Sequence, residues 1–154
     1  RGLGDVYKRQ VKCGDMISVR GNGLRGIKID ISQCPDLFPT LAAAACAALG
    51  DTIFTNAARL RIKESDRIEA VEKMINSLGG FAESTEDSLT VRGTGTLPGG
   101  EVDSFNDHRI VMAAAIAACI CENPVIIHDA QAVNKSYPNF FEDYRKLGGK
   151  ADVI

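Results

Sequence analysis

Three charged residues stand close together in the run RIKESDRIEA: Lys63, Glu64 and Arg67. On a helix, Lys63 and Arg67 are i, i+4 neighbours and Glu64 and Arg67 are i, i+3 neighbours, so all three would share one face. Two cations beside a carboxylate suit an anionic substrate and a proton transfer. The same spacing also makes a solvated salt-bridge cluster, worth about a few tenths of a kcal/mol per pair. Further along, Asp107, His108 and Arg109 open an Ala-rich run. Asp107 suits an N-cap, but His108 and Arg109 then put positive charge at the positive end of the helix dipole. That is unfavourable unless an anion binds there, and an Arg held at such an end matches phosphate or carboxylate. Asp36 opens an earlier Ala-rich run and reads first as an N-cap, with Pro39 in the first turn. Lys135 stands in VNKSYP before another helix entry, where a lone lysine reads as a solvated side chain. Together, Arg67, Arg109 and Lys135 supply cations for a phosphate and a carboxylate. Asp36 and Glu64 supply proton-transfer groups.

A repeat organises the elements that must position these residues. Ile17–Gly21 (ISVRG) resembles Leu89–Gly93 (LTVRG), each an alternating strand that ends in Arg-Gly. Ile27–Ile31 and Glu101–Phe105 follow, then the Ala-rich helices Asp36–Leu49 and Asp107–Cys121. Short β-like runs come next, at Asp51–Thr55 and Val125–His128, and then an amphipathic helix in each copy. Ile68, Val71, Ile75 and Leu78 form the apolar stripe of the first such helix, and Phe140, Phe141, Tyr144 and Leu147 that of the second. Leu-Gly-Gly closes each one, and Phe81–Glu83 and Lys150–Asp152 follow. The period is about seventy residues. Each copy reads β-β-α-β-α-β, an α/β class, with units over roughly 15–85 and 87–154. The Ala-rich helices are apolar nearly all round and so should be buried against several neighbours. Gly50 is expected to end the first of them as a C′ residue, and Gly79-Gly80 to end the later helix through a left-handed residue.

The chain has 154 residues, 45% hydrophobic and 25% charged, with a net charge of −2. That suffices for one domain with a core and implies no nucleic-acid partner. No apolar run is long and charge-free enough to predict a membrane span. The five cysteines form no CxxC pair and have no His at ligand spacing, so no metal site is expected. Cys46 and Cys119 read as small buried hydrophobes. An odd cysteine count without a secretion signal points to the cytoplasm. Arg1–Gln10 (RGLGDVYKRQ) reads as the translation of a sequencing-library adapter and is set aside, leaving Val11–Ile154 as the native stretch of a longer reading frame.

The runs CPDLFPTLA (Cys34–Ala42), RLRIKESDRI (Arg59–Ile68), FNDHRIVMAAA (Phe105–Ala115) and NKSYPNFF (Asn134–Phe141) occur in this order. They closely resemble the C-terminal motifs of the 5-enolpyruvylshikimate-3-phosphate synthases, over essentially all of Val11–Ile154. The resemblance implies a partial inside-out α/β barrel domain built from βαβαββ units, with a missing N-terminal domain. It implies transfer of the enolpyruvyl group of phosphoenolpyruvate to the 5-hydroxyl of shikimate 3-phosphate, without a cofactor, in a protein that is a monomer when complete. The stretch on its own would be inactive. By the same resemblance Asp36 is a proton acceptor and shikimate-phosphate ligand, Lys63 a second such ligand, and Glu64 a proton-transfer group. Arg67, His108, Arg109 and Lys135 match phosphoenolpyruvate-binding positions. Arg59 departs from members that carry Asn nearby, which leaves that contact open. Two other readings stand beside this one. A sister transferase with UDP-N-acetylglucosamine as acceptor lacks the KESDR and NDHR motifs, and a non-catalytic anion-binding module needs only the charges.

Overall fold

In this computed structural model, residues 10–13, 16–19 and 23–152 are described. Arg1–Arg9 of the adapter-like segment, and the Arg20-Gly21 pair that closes the first strand of the repeat, lie outside the described residues. Strands β1 (Gln10–Cys13) and β2 (Met16–Val19) form an antiparallel pair. The main sheet takes β3 (Leu24–Arg25), β4 (Lys28–Asp30), β5 (Ala48–Thr55), β6 (Phe81–Ser84) and β7 (Leu89–Thr94). The short strands β3 and β4 pair parallel along one edge of β5, β7 pairs antiparallel along its other edge, and β6 pairs with β7 outermost. Strands β8 (Gly100–Asp103) and β9 (Val125–His128) form a separate parallel pair. Between strands run helices α1 (Phe38–Cys46), α2 (Arg67–Ser77), α3 (His108–Ala118) and α4 (Phe140–Lys146). The result is a mixed α/β arrangement. Strand β7 stands at the head of the second copy in the repeat, yet its hydrogen bonds lie within the first copy's sheet.

Small side chains let the Ala-rich helices approach closely. Helix α1 packs on α3, and both meet α2, with Ala42, Ala43, Ala113, Ala114 and Ala117 fully covered. Phe38 and Phe54 fill the space between α1 and β5, edge to face at 5.3 Å. The stripe of α2 is buried as its spacing requires: Ile68, Val71, Ile75 and Leu78 lie inside. Its end is a Schellman motif. Gly79 has φ +79, the Gly80 N–H donates to Ile75 O at 3.0 Å, and the Gly79 N–H donates to Asn76 O at 3.1 Å.

Several expectations need correction. The first Ala-rich helix is shorter than Asp36–Leu49: a 3₁₀ turn spans Pro35–Leu37 and the α-helix ends at Cys46. Gly50 does not terminate it but lies inside β5, opposite Gly93. The last carbonyl of the helix is satisfied instead from just beyond β7, where the Gly95 N–H donates to Cys46 O at 3.1 Å. Strand β7 passes so close there that a Cβ at Gly93 would stand 2.2 Å from Ala48 O and 2.3 Å from Ala45 O. Lys150–Asp152 is not a strand: the Arg145 Nε–H donates to Ala151 O at 2.7 Å, and among the described residues no ladder partner lies alongside. Leu147 is 89% exposed and does not belong to a buried stripe. In the first copy α2 lies against β6 and β8, whereas α4 reaches a small cluster around Val111, Ala132 and Val133 through Phe140 and Phe141, and α3 through the Tyr144 hydroxyl, which donates to Ala115 O at 3.1 Å. Cys46 is buried as expected, but Cys119, just past the last turn of α3, is exposed beside Tyr144 Oη. Among the described residues, no helix is long and apolar enough to cross a membrane.

Candidate active site

All the candidate residues sit on connections that leave the carboxyl end of a strand and enter the next helix. Asp36 lies between β4 and α1, and Lys63, Glu64 and Arg67 between β5 and the start of α2. Asp107, His108 and Arg109 follow β8 at the start of α3, and Lys135 follows β9 ahead of α4. β4 runs parallel to β5, and β8 to β9, so each pair delivers its connections to one end. Crevices outside strand carboxyl ends are where open α/β sheets bind ligands.

Arg67 joins three of the four connections. Its Nε donates to Asp107 Oδ2 at 2.8 Å, its Nη1 to Asp36 Oδ1 at 3.1 Å and its Nη2 to Glu64 Oε2 at 2.5 Å. Its side chain is 1% exposed and that of Asp107 0%, while Asp36 and Glu64 are about half exposed. Burial alone would lower the Arg67 guanidinium, but the hydrogen bond and charge of Asp107, with Glu64 and Asp36, hold it above its ordinary value. Burial alone would raise the Asp107 carboxyl, and the Arg67 hydrogen bond, the Arg109 N–H and the Arg67 charge bring it below the usual range. Arg109 reaches the same carboxylate of Asp36 from the other side. Its Nη2 stands 3.0 Å from Asp36 Oδ2, and its Nη1 donates to Asp36 O at 3.0 Å. Asp36 therefore lies between two arginines.

Asp107 is the N-cap the spacing suggested, its Oδ1 accepting from the Arg109 N–H at 2.9 Å. Asp36 is not an N-cap: neither the 3₁₀ turn nor α1 has a side-chain cap, and its carboxylate goes to the arginines. The single-face reading of Lys63, Glu64 and Arg67 also fails. Asp66 caps α2 by accepting from the Glu69 N–H, so the helix begins at Arg67 and Lys63 stays extended. The Glu64–Arg67 pair survives, but Arg67 is the core of the cluster rather than part of a solvated face. Lys63 is exposed.

Lys135 Nζ donates to Asn106 O at 2.5 Å and to Asn106 Oδ1 at 2.7 Å, which brings the fourth connection to the third. Asn106 and its neighbour Phe105 both have left-handed backbones, φ +54 and +51, which costs non-Gly residues about 1–3 kcal/mol each unless the surroundings impose it. Among the described residues, the buried side-chain nitrogens without a hydrogen-bond partner are His108 Nδ1 and Arg109 Nε, both at the start of α3. No group of three or more His, Cys, Asp or Glu among the described residues is placed to hold a metal ion. Asp36 and Glu64 are about half exposed, so the cluster opens to solvent on their side. Sequence reasoning missed Asn106, Ser65 and the second role of Asp107. The Asn before the Asp-His-Arg run, a residue that tolerates φ > 0, was the available signal for Asn106.

Residues 3–144 match the family model described as EPSP synthase (3-phosphoshikimate 1-carboxyvinyltransferase). The chain belongs to this family. It is 49% identical over 140 residues to a 3-phosphoshikimate 1-carboxyvinyltransferase of Clostridioides difficile, covering 90% of this chain and 32% of that relative. It is 52% identical over 147 residues to the protein of that name in Clostridium acetobutylicum, covering 94% and 34%. The solved EPSP synthase of Acinetobacter baumannii superposes with a TM-score of 0.82 at 31% identity, over 97% of this chain and 39% of that one. The chain thus spans about a third of the length of the curated relatives it matches.

Proposed function

We propose that the complete protein transfers the enolpyruvyl group of phosphoenolpyruvate to the 5-hydroxyl of shikimate 3-phosphate with release of phosphate, and that this chain forms one wall of the site. The observation that carries the reading is Asp36 held between Arg67 and Arg109. Two guanidinium groups that converge on one carboxylate suit the carboxylate or phosphate of phosphoenolpyruvate. Lys135 adds a third cation, and His108 and Arg109 offer buried nitrogens with unused hydrogen-bonding capacity.

Phosphoenolpyruvate takes Arg67, Arg109 and Lys135, with His108 beside them, and displaces Asp36. Asp36 is then free to orient the 5-hydroxyl and accept its proton, with Lys63 on the shikimate phosphate. Glu64, half exposed and next to Arg67, protonates the methylene carbon. The hydroxyl oxygen adds to the resulting cationic carbon to give a tetrahedral intermediate. Phosphate leaves with its bonding electrons as the Glu64 carboxylate takes a proton from the new methyl, restoring the double bond. The protein's contribution is charge placement and proton transfer. A hydrogen bond to a charged group contributes about 1.5–3 kcal/mol, so each arginine accounts for about tenfold or more in phosphoenolpyruvate use.

The partial fold fits part of an inside-out α/β barrel of βαβαββ units, with Val11–Ile154 holding about two of them. The upstream N-terminal domain would supply the opposite wall, and the complete protein acts as a cytoplasmic monomer. The test is phosphate release by this chain joined to the upstream part of the Clostridioides difficile relative. Release is expected with shikimate 3-phosphate and not with UDP-N-acetylglucosamine. Release with the second acceptor alone would move the assignment to a sister transferase, and none with either to an anion-binding module.

A further inference from the structure

An N-cap needs one acceptor oxygen, and Asp107 uses both of its own. Oδ1 takes the Arg109 N–H at 2.9 Å, while Oδ2 takes Arg67 Nε at 2.8 Å and Ser65 Oγ at 3.1 Å. We infer that Asp107 is a positioning residue for phosphoenolpyruvate: it grips Arg67 by Nε and aims both Nη groups at the substrate, a role separate from capping α3.

The geometry divides the guanidinium into a fixed edge and an exchangeable one. The fixed edge pairs with a carboxylate that is 0% exposed. The exchangeable edge pairs with Asp36 and Glu64, which are 54% and 48% exposed. An anion that replaces Asp36 leaves the Nε contact in place, so Arg67 need not be reordered on binding, and preorganised donors keep their strength. Because the same carboxylate caps α3, it also fixes the backbone of Arg109 relative to Arg67. The inference rests on the functional reading above.

Serine separates the two roles, since it caps helices about as well as aspartate but cannot reach Arg67 with a charge. In the chimera with the Clostridioides difficile upstream part, Asp107→Ser is expected to raise the KM for phosphoenolpyruvate about tenfold or more. The KM for shikimate 3-phosphate should stay within about twofold, and in an Arg67→Ala background Asp107→Ser should add no more than about twofold. An unchanged KM for phosphoenolpyruvate in Asp107→Ser would reduce Asp107 to a cap and overturn the inference. So would an effect that multiplies in full with Arg67→Ala. Should the serine variant not fold, the Nε–H proton resonance of Arg67 decides, compared between the unmutated chimera and Asp107→Asn. A resonance protected from exchange in the first and unprotected in the second supports the grip, and equal protection in both overturns it. If the unmutated chimera turns over neither acceptor, the functional reading fails by itself while this resonance still decides whether Asp107 holds Arg67.

Discussion

Helices α2 and α4 hold matching places in the two copies and are secured very differently. α2 buries six residues, including the Arg67 that links three connections, and closes in a Schellman turn against Pro98. α4 buries none, leaves Leu147 exposed and, among the described residues, has no strand after it. The cations they serve follow suit: Arg67 is locked among three carboxylates, while Lys135 rests on a single exposed turn at Asn106. The contrast teaches that one copy provides a rigid half of the site. The other presents its cation from a lightly packed edge, where local opening is easiest.

The largest break in this contrast should come from Arg67→Ala. Removing one member of a buried ion pair costs about 3–5 kcal/mol, so urea unfolding of the completed chain should show a loss of that order. Lys135→Ala should leave stability unchanged and affect substrate use alone. Next, Leu78→Ala should cost about 2–5 kcal/mol as a buried truncation, and Leu147→Ala should stay within about 0.5 kcal/mol; equal losses would mean that α4 is covered after all. Acid unfolding sharpens the comparison further. The Asp107 carboxyl lies below its ordinary value in the folded protein, so its stabilisation is full above the unfolded value of about 3.9 and fades as pH falls through the folded one. Asp107→Asn should therefore flatten the loss of stability below about pH 4. Asp143 on α4 is also lowered, by its hydrogen bonds to Lys146 and Tyr137, but it is exposed to solvent screening, and Asp143→Asn should leave the profile as it was. The smallest difference is expected at the two helix-ending glycines. Both have positive φ, and replacement by Ala strains each by about 1 kcal/mol. A Cβ at Gly79 would also stand 2.6 Å from Pro98 Cγ, whereas at Gly148 it meets nothing within 4 Å. Gly79→Ala should thus lower the melting temperature more than Gly148→Ala.

Much of this was readable from the sequence, because local chemistry decides it. The period-3.6 stripe of α2, its Gly-Gly end and the Asp107 cap each depend on residues a few positions apart. The charged residues were found, but their surroundings were not. Helical arithmetic carried from Arg67 back to Lys63 ignored Asp66, whose side chain caps α2 and starts it at Arg67. The grip of Asp107 on Arg67 spans 40 residues of sequence, and no local pattern encodes a contact at that distance. Gly50 looked like a helix terminator because the sequence does not show that β7 presses on the last turn of α1. Leu147 matched Leu78 in pattern, but burial also needs a partner, and the strand that would supply it is not formed.

The most direct test of the account is the pair of Michaelis constants of Arg109→Ala in the chimera, measured against the unmutated chimera. Arg109 touches Asp36 and carries an unpartnered buried Nε, so its loss should weaken phosphoenolpyruvate about tenfold or more and leave shikimate 3-phosphate unaffected. A rise confined to shikimate 3-phosphate, or no change in either constant, would contradict the claim that this arginine pair receives phosphoenolpyruvate.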